Sequence, residues 1–151
     1  MVEQITDKKL KTQIARTVLE ALTEWFEVEE SREQYIADSA DEIFFASKGE
    51  DGYNGFLCLK ETGKDTVELA VMGVLKEHHR EGAGRELVEK AREAAKAAGY
   101  SFMQVKTVQM GRYEEYDRTN LFYISCGFKE LEVFPLYWDE ANPCQIYIMA
   151  L

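Results

Sequence analysis

The stretch from Thr66 to Gly99 constrains this chain more than any other, because a strand-like run passes through a glycine-punctuated polar turn straight into an amphipathic helix. The run Thr66-Val67-Glu68-Leu69-Ala70-Val71-Met72-Gly73-Val74 is rich in β-branched and apolar side chains and predicts a strand. Beyond the turn His79-Arg80-Glu81-Gly82-Ala83-Gly84-Arg85, residues Leu87, Val88, Ala91, Ala94, Ala95 and Ala98 share one helical face. Glu86, Glu89, Lys90, Glu93 and Lys96 occupy the other, and Gly99 ends the helix as a left-handed cap. At the helix start the first N–H groups lack intrahelical acceptors and carry the positive end of the dipole. Gly82 and Gly84 let an anion approach those groups closely, so strand, turn and helix together predict a phosphate site. The competing reading is a tight turn with no ligand. Two common phosphate motifs are excluded: no Gly-Lys-Ser/Thr follows, and the third glycine of the dinucleotide fingerprint is missing.

The flanking sequence builds a mixed sheet around this unit. Met1 to Ile5 predicts a short strand, and Asp7 or Thr6 caps a helix with Leu10, Ile14, Val18, Leu22 and Trp25 at helical spacing. An acidic connection, Glu27-Val28-Glu29-Glu30, reads as a solvated turn ahead of a second helix over Glu33 to Ser39. Glu42 to Ser47 and Gly55 to Lys60 form a hairpin across a turn rich in Gly, Asp and Asn, and Thr62-Gly63-Lys64-Asp65 turns the chain into the central strand. Phe102 to Val108 is a further strand, and the helix between it and the central strand makes the two parallel. No repeat, low-complexity tract or linker interrupts the 151 residues, so one domain is expected.

Composition narrows the class. A net charge of −10 argues against nucleic acid or an anionic membrane as the main partner and suits a cationic acceptor such as an amine. Cys58, Cys126 and Cys144 are widely spaced with no Cys-x-x-Cys pairing, which predicts reduced, buried thiols and no structural metal. With no signal-like N-terminus and no apolar run of spanning length, a cytoplasmic location is expected.

The C-terminal third carries a second motif. Tyr116-Asp117-Arg118-Thr119-Asn120 offers capping residues, Leu121-Phe122-Tyr123-Ile124-Ser125-Cys126 continues as a short helix, and Gly127-Phe128 stops it and begins a strand. Phe128 to Phe134 and Gln145 to Ala150 close the pattern, with Pro135 to Pro143 as a long loop that either overhangs the acceptor site or merely bridges strands.

The two motifs, in this order, resemble those of the GNAT superfamily of N-acetyltransferases. There a Gln/Arg-x-x-Gly-x-Gly/Ala turn after the fourth strand wraps the coenzyme A pyrophosphate; here the match runs from His79 to Gly84, with His79 in the Gln/Arg place. The segment Asn120 to Phe128 is similar to the family's Asn…Phe-Tyr-x-x-x-Gly-Phe. The resemblance implies an α/β (α+β) fold, a mostly antiparallel mixed sheet flanked by helices on both faces, and acetyl-coenzyme A as acyl donor. It implies cofactor contacts at Met72, Val74, His79, Arg80, Glu81, Gly82, Ala83, Gly84, Arg85, Asn120 and Tyr123. Pantetheine would lie along the central strand, an arrangement that Gly73 suits, and Asn120 would bind its amide.

Tyr123 is the implied general acid. Glu68, 14 residues before Gly82 (82 − 68), stands where some members carry a glutamate base. Glu68, Ala70, Met72 and Val74 alternate onto one face of the strand, and Glu68 is the ionisable residue among them. Four residues at about 3.3 Å each put it roughly 13 Å from Met72, so it reaches an amine from the far side or through water. A salt-bridged or solvated strand residue is the other reading of Glu68. His78, His79 and Glu115 are rival bases, or none is needed, and the two histidines read as solvent-facing turn residues. Trp25, Phe26, Glu29, Glu30 and Tyr35, on the helix pair that borders the family's acceptor groove, are the candidate acceptor contacts. A small-molecule or peptide amine is the implied acceptor, a homodimer is compatible, and a noncatalytic acyl-coenzyme A binding or sensing module on the same fold is the alternative.

Overall fold

A computed structural model describes residues 1–151. Seven strands and four α-helices follow one another as β1 (Val2–Ile5), α1 (Lys8–Ala21), α2 (Glu29–Ser39), β2 (Ile43–Gly49), β3 (Gly52–Gly63) and β4 (Thr66–Val74). A short 3-10 helix (Lys76–His78) leads to α3 (Ala83–Ala97), β5 (Phe102–Val108), α4 (Glu114–Ser125), β6 (Lys129–Asp139) and β7 (Asn142–Ala150). The strand order is β1-β2-β3-β4-β5-β7-β6; β1 with β2, β2 with β3, β5 with β7 and β7 with β6 pair antiparallel, and β4 meets β5 in parallel, as the intervening helix requires. The mixed, mostly antiparallel sheet expected from the sequence is therefore present. No helix is long and apolar enough to cross a membrane.

The chain forms two compact units, Met1–Lys60 with Ala70–Ala94, and Glu61–Leu69 with Ala95–Leu151. In the first, Asp7 caps α1 by accepting from the Lys9 N–H at 3.1 Å, as its position before an apolar stripe predicts. That stripe, Ile14, Val18, Leu19 and Leu22, packs with Phe44, Phe56 and Val71 into one apolar cluster. Phe44 and Phe56 stack with ring centroids 5.2 Å apart. Lys11 is buried on the same helix because its Nζ donates to the Glu42 carbonyl at 2.7 Å and the Ala40 carbonyl at 3.4 Å, satisfying carbonyls at and just beyond the end of α2.

In the second unit, Thr66 to Leu69 of β4 pair with Phe102 to Val105 of β5, and β5 pairs with β7 over its whole length. Val67, Leu69, Met103, Val105, Phe128 and Tyr147 are all buried. Cys126 and Cys144 here, and Cys58 in the first unit, are buried and form no disulfide.

Several boundaries differ from expectation: α1 ends at Ala21, before Trp25, and the hairpin strands reach Gly49 and start at Gly52, so their turn is shorter than Gly49 to Gly55. Helix α2 begins at Glu29, so Glu29 and Glu30 form its first turn instead of a loop, where carboxylates meet the positive end of the dipole. For the same reason α4 begins at Glu114: with Glu114, Glu115 and Asp117 in its first turn, the supposed capping residues Tyr116 to Asn120 lie inside the helix. The segment Pro135 to Pro143 is not a long loop. Strand β6 continues through Leu136, Tyr137 and Trp138 to Asp139, and Asn142 Nδ2 closes the turn by donating to Asp139 Oδ1 at 2.8 Å. Aromatic residues favour strands, and β6 is an edge, where the missing N–H of Pro135 is tolerated.

Candidate active site

The turn between β4 and α3 is tightly built. His79 Nε2 lies 2.6 Å from the Val74 carbonyl, and since a carbonyl only accepts, that nitrogen carries the proton. The His79 ring meets Trp25 edge-on at 6.0 Å, so a candidate acceptor residue and a candidate cofactor residue touch within the first unit. His78 pairs with Glu81 at 2.9 Å, and that hydrogen bond raises its pKa. His79 is exposed, as the sequence suggests, and His78 half-buried, but each ring is held by a hydrogen bond. Lys76 pairs with Glu24 on the same side of the unit.

Arg80 and Gly82 both adopt left-handed backbone, at φ 69° and 86°. Glycine holds such a conformation without strain, and a Cβ at Gly82 would meet no atom within 4 Å. The space beside Gly82 is thus open, and helix α3, 15 residues long, begins at the next residue, where its first N–H groups lack intrahelical acceptors. Ala83 and Gly84, the first residues of α3, are half-buried, while Arg80, Glu81 and Arg85 are exposed. An open left-handed glycine before a long helix fits a phosphate group approaching the backbone.

Upstream, Met72 is half-buried and Val74 buried. Gly73 has a different duty from the one expected. A Cβ there would come within 2.9 Å of both Val18 and Leu22, so the close approach that demands glycine is made by α1. Trp25, Phe26 and Tyr35 pack on the apolar cluster, with Phe26 and Tyr35 edge-to-face at 5.9 Å, whereas Glu29 and Glu30 are exposed.

The second unit holds the remaining candidates. Glu68 is only 5% exposed, and its Oε1 accepts from Lys106 Nζ at 2.6 Å and from Gln104 Nε2 at 3.1 Å. Of its two sequence readings the salt bridge is present. Desolvation lowers the Lys106 pKa, but the Glu68 carboxylate outweighs it and the net shift is upward. Tyr137 lies over Lys106, with Nζ 5.2 Å from the ring centroid. Sequence reasoning missed Lys106, although the alternation of Gln104 and Lys106 with the buried Met103 and Val105 marks a polar strand face.

Tyr123 is buried near the end of α4, and local chemistry explains its spacing from Gly127-Phe128. Gly127, at φ 103°, donates to the Ile124 carbonyl at 3.0 Å, and Phe128 donates to the Tyr123 carbonyl at 3.1 Å. This is a Schellman cap, whose usual apolar contact is here the Tyr123–Phe128 ring pair, edge-to-face at 5.7 Å. Asn120 is not placed to bind a ligand amide. It is fully buried, with Nδ2 donating to the Val108 and Tyr116 carbonyls at 2.9 and 2.7 Å and Oδ1 accepting from Tyr147 at 2.6 Å. Neither donor hydrogen can reach a pantetheine carbonyl without breaking one of those bonds, and no part of the residue is exposed. Glu115, a rival base, sits half-buried in the first turn of α4. No group of three or more His, Cys, Asp or Glu side chains is arranged to hold a metal ion.

Residues 30–130 match the family model described as acetyltransferase (GNAT) domain. Among solved structures, a GNAT-family protein from Desulfovibrio desulfuricans superposes with a TM-score of 0.80 at 17% identity, over 99% of each chain. An IAA acetyltransferase from Bacillus cereus gives 0.77 at 20%, over 100% of this chain and 99% of that one. An aminoglycoside 6'-N-acetyltransferase complexed with coenzyme A gives 0.78 at 15%, over 99% and 96%. At these identities the likeness is one of fold. Among curated proteins no match is found.

Proposed function

The chain belongs to the GNAT acetyltransferase family, and on that premise we propose that it transfers an acetyl group from acetyl-coenzyme A to a primary amine by direct attack. The observation that carries this reading is the turn before α3, where Gly82 is left-handed with open space above it. In this reading the backbone from His79 to Arg85 receives the pyrophosphate, and β4 at Met72 and Val74 flanks the pantetheine arm. Two structural relatives solved with the cofactor, the aminoglycoside enzyme with coenzyme A and a Bacillus subtilis acetyltransferase with coenzyme A, support it as the donor.

When bound, acetyl-coenzyme A supplies the activated thioester carbonyl. The chain's own residues supply the proton traffic. Tyr123 acts as general acid: a phenol of pKa about 10 can donate to a thiolate whose conjugate acid is near 8.5 as its charge develops. Glu68 has the lesser part. Its Oε1 already accepts from Lys106 and Gln104, so in this reading it takes the proton of the incoming ammonium through water and not by direct contact. Trp25, Phe26, Tyr35, Glu29 and Glu30 are proposed to face the acceptor, the two exposed carboxylates attracting a cationic amine.

The test is a panel of primary amines assayed for released thiol and acetylated product, together with calorimetric binding of coenzyme A to the parent and to Gly82→Val. The reading predicts turnover with at least one amine and loss of binding in the variant. Binding without turnover across the panel would leave the noncatalytic module, and unchanged binding by a folded Gly82→Val would place the cofactor elsewhere.

A further inference from the structure

Asn120 poses a problem that the acetyl-transfer chemistry does not solve. A fully buried amide is stable only when its hydrogen-bonding capacity is used, and an apolar side chain of similar size would fill the same interior position without that demand. Here the capacity is used in a particular way. One donor hydrogen ties the side chain to the Tyr116 carbonyl in its own helix, the other reaches the Val108 carbonyl at the end of β5, and the oxygen receives the Tyr147 hydroxyl from β7. The amide therefore fastens α4 to two strands at once. Burial raises the Tyr147 pKa, so its hydroxyl keeps the proton it donates.

Asn120 and Tyr123 are three residues apart on α4 and so lie on neighbouring positions of one face. The Tyr147 ring stands 6.4 Å from the Tyr123 ring, and Phe128 presses on Tyr123 from the capped end of the helix. Apolar contacts alone let a helix rotate or slide by fractions of an ångström at little cost, whereas bonds of 2.6 to 2.9 Å do not. We propose that Asn120 and Tyr147 are a positioning pair that fixes the Tyr123 hydroxyl for proton donation, without touching the reacting atoms themselves. This rests on the general-acid role of Tyr123.

Tyr147→Phe removes one hydroxyl and keeps the ring. Its kcat should fall about tenfold while the KM for acetyl-coenzyme A stays within twofold, and in a Tyr123→Phe background the same change should lower kcat no further, because there is no acid left to misplace. Asn120→Ser, which shortens the amide and breaks its reach to Tyr147, should behave alike and serves if Tyr147→Phe does not fold. Equal losses in both backgrounds would show a merely structural pair and overturn the proposal, as would full kcat in Tyr147→Phe. Full turnover in Tyr123→Phe itself would remove the general-acid reading, and the positioning role with it.

Discussion

Two glycines, one in β4 and one in the turn after it, carry opposite demands, and substitution separates them. Gly73 is required for space: an added methyl would press on Val18 and Leu22, so Gly73→Ala should destabilise by about 1–3 kcal/mol, the range of overpacked cores. Gly82 is required for conformation and access. Gly82→Ala meets nothing in the folded chain and should lose only about 1–2 kcal/mol through its left-handed backbone, while weakening coenzyme A binding disproportionately. Denaturant melts and calorimetry on both variants check this; the opposite ranking of stability would contradict it. A second residue-scale expectation concerns Lys106. Lys106→Met leaves the buried Glu68 carboxylate with Gln104 but without its cation and should destabilise by about 3 kcal/mol, more than Glu68→Gln. The folded pKa of Lys106 is raised, so its contribution is complete below the unfolded value of 10.5 and lost as the pH rises through the higher folded value. Parent and Lys106→Met melts should therefore converge only at strongly alkaline pH. None of this pairing is spelled in sequence, because Glu68 and Lys106 meet only through the register that sets Glu68 beside Gln104.

At the scale of elements, the legible pieces are those whose ends carry their own chemistry. Strands β4 and β5 and helix α3 have glycine or strand-forming runs at their borders, and they form where the sequence puts them. The helix ends at Gly99 and Gly127 were legible because a left-handed cap needs glycine, and both are left-handed. The helix starts at Glu29 and Glu114 were not. A first turn stabilised by carboxylates and the dipole looks, in sequence, like an acidic loop. The length of strand β6 is not legible, because Pro135 reads as a breaker until its edge position is known. The Schellman cap of α4 also explains why tyrosine, glycine and phenylalanine recur at that spacing: the cap fixes Tyr123 through its carbonyl and its ring together. Gly127→Ala should destabilise by about 1 kcal/mol and lower kcat with it, since the same cap holds the proposed acid. A thermal melt that drops with kcat unchanged would separate the cap from the chemistry.

For the whole molecule, the family and the mixed character of the sheet are within reach of sequence, since each motif is a local arrangement of strand, turn and helix, whereas the place of β7 between β5 and β6 is not. Nor is the division of labour among buried polar groups. Asn120, taken for a ligand contact, is an internal fastener, and Gly73, taken for a cofactor approach, is a seat for α1. A net charge of −10 favours encounter with a cationic amine, and that attraction should weaken as salt screens it. The most direct test of the account is the single-turnover rate of acetyl transfer in Tyr123→Phe, measured beside coenzyme A affinity. Affinity should be unchanged and the rate lower by roughly 10² or more, because only the donated proton is lost. Parent-like transfer under conditions where chemistry limits the rate would contradict it.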